Sequence, residues 1–471
     1  MSEAVAVQTK SGPNPEQMAW ASKFAGVSIT GGSSAGDPLN GGSSAAPMDT
    51  GAAENGQDNG AADGQPPARR GFLDRFRKGK PSANAKPEKA PDPKSKELQA
   101  KLKTLNDAIS TLGKSGFNTG QMKADALDFA KQAVKAEGET DDKKRAEAIK
   151  SIGERIDEGI EHLGALSKSM ADVMKKAKGK PDAKQKSEIY KKALEDYYGL
   201  TISVQAGMED STNFDKVFDM FGTVPKSNTK QDKLKKLTYT TTLSGQDFSG
   251  GAYGGKEIYM GDFGDATGME DGGVFAYELN GKPASANSFN VTTLHEIGHA
   301  VDTKNSIMTA PAQSAGGYGG WSNDGIDKVI AALLVELKKA GPFSDKVTDD
   351  LLKTALRAAL ADGKTNRPNT IGVDDWLKIS PFLDSHCIPI RDASSPYAKN
   401  SPVAVGDRVY TESQGTWYSY AASARASTRV NNYQWRSPAE WFAEVYAITW
   451  LKKSKPPSAV DAKVAKYCWN G

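Results

Sequence analysis

The chain has 471 residues, with 61 Lys and Arg against 58 Asp and Glu, a net charge of +3, 38% hydrophobic residues and a mean hydropathy of -0.56. So small a basic excess argues against a dedicated nucleic-acid binder, and two cysteines, Cys387 and Cys468, exclude both a disulfide framework and CxxC metal clusters. No apolar run is long enough to cross a membrane, and the low hydrophobicity implies that part of the chain lies outside any core.

Residues 1–94 are expected to form a disordered arm, because Gly, Ser, Ala and Pro dominate and apolar side chains are too sparse to offset the entropy of ordering. Two islands interrupt it. MAWASKFAGVSI (18–29) suits a short helix or docking peptide, with a stray apolar patch as the plainer reading. ARRGFLDRFRKGK (68–80) sets Phe72, Leu73 and Phe76 among basic residues; it could touch acidic lipid, but a solvated linker is favoured. The first residues lack the basic and apolar regions of a secretory signal, so synthesis in the cytoplasm is expected.

Residues 95–182 change character. Leu98, Leu102, Leu105, Ile109 and Leu112, then Ile149, Ile152, Ile156, Ile160, Leu163 and Leu166, recur at three and four, which predicts two or three amphipathic helices in a hairpin or small bundle. His162 falls at a polar position and is expected to face solvent. From 183 onward the pattern is mixed. A helix at SEIYKKALEDYYG leads to a strand at Leu200–Val204 and a helix through Phe214, Val217, Phe218 and Phe221. Strands are expected at Leu237–Thr242, Glu257–Met260 and Val274–Leu279, then a helix at 289–303. Helices near 324–340, 346–361 and 372–385 would form an insertion at about 324–390. Strand-like pieces near 407–420 and a last main helix at 438–452 complete an α+β domain spanning 183–471.

The chemistry concentrates at VTTLHEIGHAVD (291–302). His295 and His299 are four apart, so on a helix they share one face and can grip one metal ion, while Glu296 can reach a water held there and take its proton. The chain has four histidines, and chance would produce such a spacing followed by Glu only about once in a thousand such sequences. Val291, Leu294, Ile297, Ala300 and Val301 make the helix apolar almost all round, and buried imidazoles need partners.

A third protein ligand is required for a zinc hydrolase. The HExxHxxGxxH option fails, because Asp302 and Asn305 stand at its glycine and histidine positions. The alternative is a glutamate on another helix. RSPAEWFAEVYAITW (436–450) is apolar or aromatic nearly throughout, and only Glu440 and Glu444 within it are acidic, one helical turn apart. Glu440 is the expected ligand, and Glu444 could accept a hydrogen bond from a ligand imidazole. Glu336 in AALLVELKKAG competes, but Lys338 and Lys339 beside it indicate a surface helix. His386 and Cys387 offer a further ligating pair, for which a partly buried, non-catalytic site is the plainer reading. Whether Cys387 and Cys468 bridge is left open by the sequence.

HEIGHAVD, with a tyrosine seven residues before an E-x-F-A-E helix, resembles the lethal-factor-like metallopeptidases of bacterial toxins, a branch of the gluzincins. The resemblance spans roughly 185–471, and its specific motifs are these two segments. It implies a gluzincin-type α+β fold with one Zn2+ bound by His295, His299 and Glu440. It also implies that Glu296 is the general base and that Tyr433 assists the transition state, and it matches Asp302 to the family's terminal Asp. The implied activity is a zinc-dependent endopeptidase acting on a protein or peptide. The segment 249–263 would hold an edge strand that pairs with extended substrate, with a plain hairpin as the alternative. SAGGYGGW (314–321) could act as a lid or be an ordinary loop. The arm would engage a secretion apparatus or chaperone, and the protein would be a bacterial effector, secreted or injected and active in a target cell's cytosol. From a different class, the chain could be a catalytically silent gluzincin-fold protein that docks partners through 95–180; the intact HEIGH disfavours this.

Overall fold

The computed structural model describes residues 93–209, 212–263, 274–279, 282–308, 320–362, 366–387, 403–413, 416–424, 430, 433–456 and 462–469. The arm up to residue 92, with its 18–29 island and 68–80 basic segment, lies outside these residues, as do residues 314–319 of the Gly-rich loop. The architecture is α+β, and the described residues from Glu97 onward belong to one compact unit.

Among the described residues three helices come first: α1 (Pro93–Lys114), α2 (Gly120–Glu137) and α3 (Asp142–Val173). The apolar spacing buries Leu98, Leu105, Ile109 and Leu112 on α1 and Ile149, Ile152, Ile156, Leu163 and Leu166 on α3, with Leu102 and Ile160 at the margin. α4 (Ala183–Tyr198) opens with a reciprocal Asp182–Gln185 cap and stops at Gly199, whose φ of 72° suits a residue without a side chain. After β1 (Thr201–Val204), α5 (Phe214–Thr223) leads to β2 (Lys236–Tyr239). β3 (Thr242–Leu243) and β4 (Gln246–Asp247) form a small ribbon. β5 (Gly251–Gly254) and β6 (Glu257–Met260) form a hairpin whose turn residues, Gly255 and Lys256, have φ of 59° and 72°, the mirror-image turn that matches strand twist.

The first sheet has the order β1-β2-β6-β5. β1, β2 and β6 are parallel, and β5 is an antiparallel edge. A second hairpin, β7 (Val274–Leu279) and β8 (Lys282–Asn287), runs straight into α6 (Ser288–Asn305). β9 (Ser322–Asn323) precedes α7 (Gly325–Leu337), α8 (Asp349–Asp362) and α9 (Val373–His386). Then come β10 (Val403–Val405), β11 (Arg408–Ser413) and β12 (Thr416–Ala421), in an antiparallel sheet of order β10-β11-β12-β9. The last main helix is α10 (Pro438–Lys452).

Among the described residues, two large hydrophobic cores form beside a minor cluster of Leu243, Phe248 and Ala252. The larger joins α1–α3 to α4, α5, α6 and α10, so the boundary expected at 182/183 is a seam inside one core. The smaller gathers Val329, Leu333, Leu356, Leu360, Ile379 and Leu383 from α7–α9. The second sheet serves both cores: Val409 and Tyr420 face the larger, while Tyr410 and Trp417 face the smaller. Alternation along β11 and β12 therefore sends neighbouring residues to opposite cores.

His162 does not face solvent. Its ring is buried, stacks on Phe218 at 3.7 Å and meets the Tyr198 hydroxyl through Nδ1 at 2.8 Å. The polar-face expectation fails because α4 and α5 pack over that side of α3. Cys387 and Cys468 are free, buried thiols in different cores, so they do not bridge.

Candidate metal centre

Two caps set the helices that carry the site. Asn287 accepts the Asn290 N–H at 3.0 Å and starts α6, which is buried on nearly every side through Asp302. Ser437 accepts the Glu440 N–H at 3.3 Å, and Pro438 fills the first position of α10. Glu440 thus sits in the first turn, where the positive end of the helix favours a carboxylate.

Gly298 lets the two helices touch. A Cβ there would lie 3.1 Å from Cα of Ala443 and 3.2 Å from the Tyr446 ring. The close approach brings together three atoms from the two helices that are able to ligate a metal. His295 Nε2 lies 3.0 Å from Glu440 Oε2 and 3.0 Å from His299 Nε2, and His299 Nε2 lies 3.4 Å from that same carboxylate oxygen. A tetrahedral zinc-sized ion with ligands at about 2.0–2.2 Å separates ligand atoms by about 3.3–3.6 Å. The three edges match that figure to within a few tenths of an ångström, so the residues present fit such an ion.

The charges point the same way. His295, Glu296, His299, Glu440 and Glu444 are all between 3% and 6% exposed, which puts three carboxylates and two imidazoles out of water together. Burial alone would lower the His295 pKa, but the Glu440 and Glu444 carboxylates reverse this and hold it well above the ordinary imidazole value. Burial alone would likewise raise Glu440, but His299 and His295 hold it well below the carboxylate range. Burial pushes Glu296 up. Without an ion, a proton on His295 offsets the carboxylates; a divalent cation at the same nitrogens would do so more fully.

The other site residues lie close by. Glu444 Oε1 is 3.1 Å from His295 Nδ1, close but poorly aligned, on the ring edge opposite the ligating nitrogen. A donor at Nδ1 leaves the Nε2 lone pair for a metal. One carboxylate oxygen of Glu296 lies within 4.8 Å of a nitrogen of each histidine, and its Oε2 is buried without a hydrogen-bond partner among the described residues. Tyr433 stands half-buried on a short turn, its ring 5.7 Å from that of His295, with the Arg436 guanidinium 4.9 Å from the centre of the tyrosine ring. Trp435, next but one, anchors that turn by packing against Tyr420 and Trp321 at 4.5 and 5.8 Å. Asp302 accepts the Met308 N–H at 2.7 Å, holding the turn after α6.

The structure brings together His295, Glu296, His299, Glu440, Glu444 and Tyr433. Glu336 is elsewhere: it is half-exposed on α7 and paired with Lys339 at 2.6 Å. His386 stacks on Phe382 at 4.0 Å and meets the Ser385 hydroxyl at 2.7 Å. Sequence reasoning missed two glycines. Gly298 is the helix contact above. Gly251, on edge strand β5, lies against α6: a Cβ there would fall 2.3 Å from Thr292 Cγ2 and 3.0 Å from Glu296 Oε1. The available signal for Gly298 was a lone glycine inside an otherwise apolar helix, which usually has a packing reason. Comparison with known proteins adds no relative: no protein-family model matches the chain, and no curated protein or solved structure matches it significantly.

Proposed function

We propose that the chain is a zinc-dependent endopeptidase of gluzincin type. One observation carries this reading: the triangle of His295 Nε2, His299 Nε2 and Glu440 Oε2, with the unpartnered Glu296 carboxylate oxygen beside it.

In this reading His295, His299 and Glu440 hold the ion, which when bound acts as a Lewis acid and lowers the pKa of water. Glu296 takes the proton of the attacking water and delivers it to the departing amine. Its raised pKa suits a group that must first gain a proton and then give it up. Tyr433 donates its hydroxyl hydrogen to the oxygen on which negative charge develops. Glu444 keeps the His295 ring in the tautomer that ligation needs. Edge strand β5, whose Gly251 lies against Glu296, aligns an extended substrate by backbone pairing.

The test is elemental mass spectrometry with a peptide-cleavage assay on the purified chain. Wild type should carry one zinc and cleave; Glu440→Ala should lose the metal; Glu296→Gln should keep it and lose turnover. Wild type devoid of metal after zinc-replete purification would overturn the reading.

A further inference from the structure

The edge strand has a second end. In the β5–β6 hairpin, Gly254 pairs with Glu257 next to the turn, so bonded and non-bonded pairs alternate back along β5. The alternation points the N–H and C=O groups of Gly251 and Tyr253 away from β6. Among the described residues, no backbone or side chain bonds to them. Among the described residues, β5 therefore offers an open pairing edge that begins at Glu296.

At its far end stand four lysines. The Tyr253 hydroxyl donates to the Lys233 carbonyl at 2.6 Å, and the N–H groups of Lys235 and Lys236 both donate to the Lys256 carbonyl, at 2.8 and 3.2 Å. These bonds tie the lysine-bearing backbone to the hairpin. Lys236 is engaged by Glu257 at 3.0 Å, and Lys233 lies 3.7 Å from Asp232. Lys235 and Lys256 are exposed and face no carboxylate among the described residues. At about 3.3 Å per residue, the run from Gly251 to Lys256 corresponds to roughly three to five residues of a paired peptide.

We propose that Lys235 and Lys256 form an acidic-residue subsite, so that the preferred substrate is an extended peptide carrying Asp or Glu three to five positions from the scissile bond, on the side lying along β5 towards the hairpin turn. The proposal rests on the peptidase reading for its scissile bond, while the docking it describes can be measured without turnover. The lysines act on a flexible, solvated partner, so their contribution is modest and falls with salt.

The test uses full-length protein carrying Glu296→Gln and a fluorescein-labelled twelve-residue peptide with three consecutive glutamates, against the same peptide with glutamines. Fluorescence anisotropy should show the glutamate peptide binding about five- to tenfold more tightly at low salt. The double variant Lys235→Glu/Lys256→Glu should abolish that preference, read as the ratio of the two peptides' affinities. Its fold is checked by circular dichroism, and Lys235→Gln/Lys256→Gln serves in its place should the reversal unfold the protein. Equal binding of the two peptides by the parent protein, or an undiminished preference in the lysine variants, would overturn the proposal. In parallel, cleavage of a mixed peptide library by the zinc-loaded chain should enrich acidic residues at those positions. Intact docking preference with no cleavage by the zinc-loaded chain would sink the peptidase reading and leave the acidic subsite standing.

Discussion

His162 makes stability depend on pH in a way that can be isolated. The ring is 4% exposed, stacked on Phe218, and burial with the nearby Arg155 guanidinium lowers its pKa to about 3 from an ordinary 6.5. Between those values the unfolded chain takes up a proton that the native protein refuses. Stability is therefore complete above about pH 7 and declines as the pH falls through 6.5 towards 3. Taking 6.5 for the unfolded chain, the loss from this residue is about 2 kcal/mol at pH 5 and approaches roughly 5 kcal/mol near pH 3. The perturbation is His162→Gln, which keeps a polar group for Tyr198 but cannot titrate. Urea unfolding of wild type and variant would be followed by tryptophan fluorescence at pH 7.5 and 5.0, with zinc removed from both. Whatever the variant costs at pH 7.5, its stability should fall by about 2 kcal/mol less than that of wild type between the two pH values. The metal-site residues are identical in both proteins, so their contribution cancels in the comparison. Parallel pH dependences would refute the argument and show that the ring protonates in the native state.

Other perturbations probe the candidate metal centre and its support. Gly298→Val places carbon against Ala443 Cα and the Tyr446 ring, so it should destabilise by about 1–3 kcal/mol and weaken zinc binding at least tenfold; a competitive chelator titration giving wild-type affinity would refute this. Glu444→Gln should weaken zinc about 10- to 100-fold in the same titration, with the fold unchanged by circular dichroism. Gly251→Ala drives a methyl into Thr292 and Glu296, so turnover should fall sharply while zinc content stays at one per chain. Because the carboxylates hold His295 above its ordinary pKa, protons compete for the ligating nitrogen beyond neutrality, and apparent zinc affinity should keep rising above pH 7. Leu356→Ala in the smaller core should cost about 2–5 kcal/mol in thermal or urea unfolding and leave zinc affinity unchanged.

Much of this organisation is local, and the sequence by itself determined it. Three-and-four spacing marks α1 and α3, and an almost wholly apolar pattern marks α6 and α10, because periodic burial is written residue by residue. His295, Glu296 and His299 were legible for the same reason: four residues make about one helical turn. Glu440 was inferable because acidic side chains on a buried helix demand compensation. What the tertiary structure alone decided were contacts between segments distant in the chain. His162 looked polar because its own helix cannot reveal that α4 and α5 cover it. The break expected at 182 vanished because helical packing continues across it. Gly298 and Gly251 carry no side chain to read, and their importance lies in what approaches them, Ala443 on one side and Glu296 on the other. The open edge of β5 likewise depends on strand order, which short strands separated by variable connections leave undetermined until the sheet is assembled.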